Sequence, residues 1–120
     1  MFSTRFNDPE LLATNADFSL PKSARNVNGH FTGLNNFTMY GKFDMDANEF
    51  KEFEKNTNCN SPFQPINSNS SYLSHSQYRW WNPSSESLIC FGGSDGCGKT
   101  IIVDFVETET YTIFVHAGCG

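Results

Sequence analysis

FTMYGKFDMDANEFKEFEKN, running from Phe37 to Asn56, carries a change of period that sets the fold. Phe37, Met39, Phe43 and Met45 alternate with Thr38, Tyr40, Lys42, Asp44 and Asp46, which marks a strand with one buried face. At Asp46 the period changes. Asp46 and Glu49 have the spacing of a capping box, and Met45 and Phe50 stand where a hydrophobic staple would close. Phe50 and Phe53, with Ala47, give one apolar stripe, and Lys55 suits the negative end of a helix. The reading is one strand entering one helix.

Upstream, Asp8 can cap a short helix over 8–13 with Pro9 in its first turn, and Leu20-Pro21 ends any helix. Arg25 to Leu34 reads as a strand, with a bulge or bend expected at Gly29 or Gly33. Asn35-Asn36 gives the turn into the central strand. Downstream, residues 57–87 hold Pro62, Pro65 and Pro83 among many Ser and Asn, and read as one irregular loop. Three strands follow: 87–91, 100–106 and 111–116. Pairing the last two so that apolar residues meet sets Phe105 opposite Tyr111, Val103 opposite Ile113 and Ile101 opposite Val115. Carried outward, that register brings Cys97 to Cys119 and leaves Cys59 to Cys90 as the second disulfide. The expected fold is therefore α+β, a single domain over 1–120. It has an antiparallel sheet of about five strands with one main helix packed on one face.

The chain has 120 residues and a formal charge of −5, with 12 Phe supplying bulk for a core. The 8 Lys and Arg are scattered, which argues against a phosphate-backbone surface and against nucleic acid. No apolar run approaches the length of a membrane span. The first residues, MFSTRFNDPELL, lack a basic segment followed by an apolar run, so no signal peptide is legible there. Four cysteines in a small chain rich in Asn and Ser favour a periplasmic or secreted mature form. Free cysteines would instead indicate the cytoplasm.

Gly93-Ser-Asp-Gly-Cys-Gly98-Lys99-Thr100 matches the Walker A pattern letter for letter. A P-loop needs its Lys and Thr to open a helix whose N-terminus faces the phosphates. Here they open Ile101-Ile102-Val103-Asp104-Phe105-Val106, which is a strand by composition. Only 20 residues follow Thr100, too few for a parallel crossover and a second acidic strand. The stretch reads as a Gly-rich hairpin loop, and no cofactor is assigned to it.

Other chemistry is sparse. Cys90, Cys97, His116 and Cys119 could form a Cys₃His zinc set, but no C-x-x-C pair exists and the register already spends two of them, so no metal is assigned. His30, His75 and His116 are the available histidines, and no nucleophile elbow accompanies them. Asp44 and Asp46 read as a solvent-side residue and a helix cap, and Glu107 and Glu109 as a solvated turn. No catalytic residue is assigned, and the chain is read as a non-enzyme. Tyr78, Arg79, Trp80 and Trp81 are the candidate binding residues, since these types dominate recognition hot spots. The competing and favoured reading is that one Trp plugs the core beneath the loop while its neighbour covers it.

Three motifs together suggest a relationship. These are Phe18-x-Leu20-Pro21-x-Ser23-Ala24-x-Asn26-Val27, Tyr40-x-Lys42-Phe43 running into Phe50-x-x-Phe53, and Trp80-Trp81-x-Pro83. Over about residues 18–116 the chain resembles small bacterial envelope proteins of uncharacterised role, often lipoproteins or secreted. The resemblance implies an exported, non-catalytic binding or structural module and transfers no residue roles. A second class fits the small size, acidity and aromatic cluster: an immunity or inhibitor protein that blocks a toxin or enzyme partner. Nucleotide binding through Gly93 to Thr100 is the third.

Overall fold

The computed structural model describes residues 3–33, 36–73 and 78–120. Its strands are β1 (Ser3–Phe6), β2 (Arg25–Gly33), β3 (Phe37–Asp46), β4 (Gln64–Pro65), β5 (Leu88–Ser94), β6 (Cys97–Asp104) and β7 (Thr110–Cys119). They form one antiparallel sheet in the order β1-β2-β3-β7-β6-β5-β4. The described residues are thus mostly β, with seven strands and two short helices. This corrects the expectation of about five strands under one main helix. The strands that sequence reading missed are the two edges, β1 and β4. They are too short for alternation to register, and β4 ends in Pro65, tolerable only where a ladder donor is not needed.

The helices are α1 (Pro9–Ala16) and α2 (Phe50–Lys55). In α1, Asp8 accepts from the Glu10 N–H at 3.0 Å and Pro9 occupies the first turn. The helix expected after β3 is only six residues long and follows a 3₁₀ turn, Ala47–Glu49. The capping box does not form. Asp46 makes no side-chain cap bond and instead pairs with Arg25 at 2.9 Å. The Glu49 carboxylate accepts from the Ser23 N–H at 3.2 Å, and the Ser23 hydroxyl accepts from the Asp46 N–H at 2.8 Å. Residues spaced to cap a helix are used to fasten the 19–25 segment to the end of β3.

The first face of the sheet holds the larger core. Met39, Phe43 and Met45 of β3 meet Ile101 and Val103 of β6 and Ile113 and Val115 of β7, all fully buried. Leu12 of α1, Phe18 and Phe53 of α2 close over them, and Phe18 stacks on Phe43 at 6.0 Å. Burying one such ring contributes about 2–3 kcal/mol. Gly41 makes the close approach of α1 feasible: a Cβ there would lie 1.9 Å from Leu12 Cδ2. The bulge in β2 falls between Arg25 and Asn28, where Asn26 has φ 55°, and not at Gly29 or Gly33. Of the expected Asn35-Asn36 turn, Asn35 lies outside the described residues.

The second face, expected to meet solvent, carries a smaller core of Ile66, Trp81, Ile89, Ile102 and Phe114. Strand β6 is therefore covered on both sides, which explains the unbroken run Ile101-Ile102-Val103. The β6–β7 register runs from Cys97 opposite Cys119, through Ile101 opposite Val115, to Asp104 opposite Thr112. Phe105 and Tyr111 lie just past this ladder with rings 5.9 Å apart. Disulfides join Cys97 to Cys119 and Cys59 to Cys90. Strands β5 and β6 extend further than their apolar residues suggest, to a two-residue turn, Asp95-Gly96. Both turn residues have positive φ (54° and 81°), as a type I′ hairpin requires.

Candidate binding face beneath the aromatic loop

On the second face one cross-strand row runs through five strands. His30 of β2 faces Tyr40 of β3, Tyr40 faces His116 of β7, His116 faces Thr100 of β6, and Thr100 faces Phe91 of β5. These positions alternate away from the main core, so their side chains share one surface. The Tyr40 and His116 rings lie 4.5 Å apart. Segment 66–83 returns across this row. Its Tyr72 hydroxyl lies 3.0 Å from Thr100 Oγ1 and 3.2 Å from His116 Nδ1, tying the covering segment to β6 and β7 at one point. Thr100 is buried there, and its hydroxyl is satisfied by Tyr72.

The four residues singled out in the loop divide by depth. Trp81 is 3% exposed. Its indole N–H donates to the Tyr72 carbonyl at 2.9 Å, and its ring meets Phe114 edge-on at 5.3 Å and Tyr40 at 5.1 Å. Trp81 is the plug. Tyr78 and Trp80 are half-buried and stack on each other at 5.1 Å, with planes 12° apart. Tyr78 also lies 4.8 Å from His30 and 5.6 Å from Tyr40. Arg79 is exposed between them. The structure thus brings Tyr78, Trp80 and Trp81 together and leaves Arg79 at the rim. Sequence reading missed Tyr40, Tyr72, His30 and His116 as neighbours of this cluster. For His30, Tyr40 and His116 the only signal was alternation on the polar side of their strands, which carries no strand order, and Tyr72, in a 3₁₀ turn, had none.

Burial raises the Tyr40 phenol above its usual 10.0, and the nearby Tyr72 and Tyr78 add to this. Burial also raises Tyr78, against a lowering hydrogen bond with Thr32. At neutral pH both are neutral donors. A phenol whose pKa rises on folding keeps its proton longer in the fold than in the unfolded chain. Its contribution is therefore intact below pH 10 and is lost as pH climbs beyond 10. Urea midpoints measured from pH 9 to 11.5 should fall for the wild type and fall less for Tyr40→Phe/Tyr78→Phe. Equal alkaline loss in the two proteins would refute the burial of these phenols.

The Walker-like residues are strand and turn. Lys99 and Thr100 are adjacent in β6, so they face opposite sides of the sheet. Thr100 meets Tyr72, while the buried Lys99 donates from Nζ to the Asp17 carbonyl at 2.5 Å. Asp17 is the left-handed C-cap of α1, so the ammonium serves the negative end of that helix. Burial lowers the Lys99 pKa, and the charge of Asp17 opposes that shift. Gly93, Gly98, Lys99 and Thr100 therefore build a hairpin with no helix after it, and the two residues a P-loop would use jointly point apart.

Cys90, Cys97 and Cys119 are spent in disulfides, and among the described residues no group of three or more His, Cys, Asp or Glu is placed to hold a metal. His75 lies outside the described residues. Asp44 accepts from the Thr112 hydroxyl at 2.9 Å and from Asn26 at 3.0 Å. Glu107 and Glu109 are exposed in the β6–β7 connection. No helix among the described residues is long and apolar enough to cross a membrane. The two disulfides fit an oxidising, extracytoplasmic compartment. Comparison with protein-family models, curated proteins and solved structures gives no match.

Proposed function

We propose that this chain is a non-catalytic module of the bacterial envelope, periplasmic or secreted, that binds a protein partner through its aromatic loop. The observation that carries the reading is the division of labour within 78–81. Trp81 is locked by a hydrogen bond and two edge-on rings. That anchor fixes the Tyr78–Trp80 stack and the exposed Arg79 in advance of any encounter. A pre-ordered aromatic pair with an adjacent guanidinium loses little conformational entropy on binding. The compartment argument rests on the disulfides, and the envelope assignment on the resemblance of the LPxSAxNV and WWxP segments. The immunity or inhibitor reading uses the same surface and draws on the net charge of −5, which would steer a basic partner toward it.

The test compares wild type with Arg79→Ala/Trp80→Ala as bait for the extracytoplasmic fraction of the source cell. The wild type should retain a partner at near-stoichiometric yield. The double variant should weaken retention by at least ~30-fold, on the order of 2 kcal/mol, while unfolding close to the wild-type temperature. Equal retention by both proteins sinks the reading. A retained partner that is an enzyme and loses activity in the complex would select the inhibitor class.

A further inference from the structure

The two disulfides lie in unlike surroundings. Cys90 is 1% exposed in the main core, and its partner Cys59 is half-buried against that core. Cys97 is exposed and Cys119 half-exposed at the far end of β6 and β7. Each is flanked on both sides by glycine, as Gly96-Cys97-Gly98 and Gly118-Cys119-Gly120, and the same-face neighbours two positions along are Lys99 and the small Ala117. Cys97 also lines a cavity of about 200 Å³ together with Lys99 and Asp17. Lys99 lies two residues along the same strand, on the same face as Cys97. Lys99 is buried and Asp17 is exposed, so water screens the carboxylate more than the ammonium, although the Asp17 charge still reaches it.

We propose that Cys97–Cys119 is a thiol–disulfide exchange site for an external thiol reductant, with Cys97 as the leaving thiolate. A thiolate of the reductant attacks Cys119 Sγ, which is not part of the Lys99 cavity. The Cys97–Cys119 bond breaks, and its electron pair passes to Cys97 Sγ, which shares the cavity with the Lys99 ammonium. A lower thiol pKa makes a better leaving group, and a neighbouring cation lowers it. A second reductant thiolate then attacks the reductant sulfur of the mixed disulfide and releases Cys119. Two thiols of the reductant end as one disulfide, and their protons end on Cys97 and Cys119. The ladder from Phe37 opposite Cys119 to Asp46 opposite Thr110 continues to hold β7.

The experiment treats the folded, oxidised protein with reduced glutathione, quenches by alkylation at intervals and maps each cysteine by mass. Cys97 and Cys119 should open at least ~10-fold faster than Cys59 and Cys90, and the glutathione adduct should sit on Cys119. Lys99→Met should slow the opening by roughly three- to ten-fold. The sign is decisive, because losing the α1 cap would loosen the fold and hasten exchange, and only loss of the charge slows it. Both disulfides opening together, an adduct on Cys97, or an unchanged or faster Lys99→Met rate would each overturn the proposal.

Discussion

Replacing Trp81 with alanine should destabilise the fold by about 3–5 kcal/mol, the range for deleting a buried aromatic side chain. Trp81 is 3% exposed and touches Phe114 below it and Tyr40 beside it. Truncation removes the ring and leaves the Tyr72 carbonyl without its indole donor. The effect should spread, because Tyr72 carries the hydroxyl that joins Thr100 to His116. Urea unfolding of Trp81→Ala and Trp80→Ala, side by side, separates the plug from its neighbour. Trp80 is half-buried, and its removal should cost well under half as much. Comparable losses for the two variants would mean that the loop has no single anchor.

Removing the buried disulfide by Cys59→Ala/Cys90→Ala should cost about 3–4 kcal/mol. The two cysteines are separated by 31 positions, and closing a loop of that size restricts the unfolded chain by roughly this amount. The link ties the segment after α2 to β5, and between them runs the whole cover of the second face. We therefore expect a lower urea midpoint together with faster proteolysis within 60–87. A variant that loses stability but keeps that segment protected would show that packing around Trp81, not the crosslink, orders the loop.

The readable parts of the sequence were those where one residue's neighbours are set by period alone. Ile101, Val103, Ile113 and Val115 gave the β6–β7 register, and the cysteine pairing followed from it. Asp46 and Glu49 misled because capping spacing and tertiary pairing use the same two carboxylates. Their partners, Arg25 and Ser23, lie more than twenty residues away. Short edges carry too few residues for a pattern, so β1 and β4 stayed hidden. The binding face was hidden for another reason. His30, Tyr40, His116 and Thr100 become one row only when β7 is known to lie between β3 and β6. That one Trp is a plug and its neighbour a cover was legible, but which of Trp80 and Trp81 is the plug could not be read in a stretch without periodicity, nor the use of Lys99, whose acceptor is 82 positions away.

Strand β7 sits at the centre of the sheet, between β3 and β6. Until residues 110–119 join, the chain before them is two half-sheets, β1-β2-β3 and β6-β5-β4, with no ladder between them. The closing step pairs residues 37–46 with 110–119, a large loop to shut before any hydrogen bond repays it. High contact order of this kind places folding in the range of about milliseconds to seconds. The two disulfides therefore answer to different steps. Cys59 and Cys90 both precede β7 and can pair within the second half-sheet, whereas Cys97 meets Cys119 only when β7 is laid between the halves.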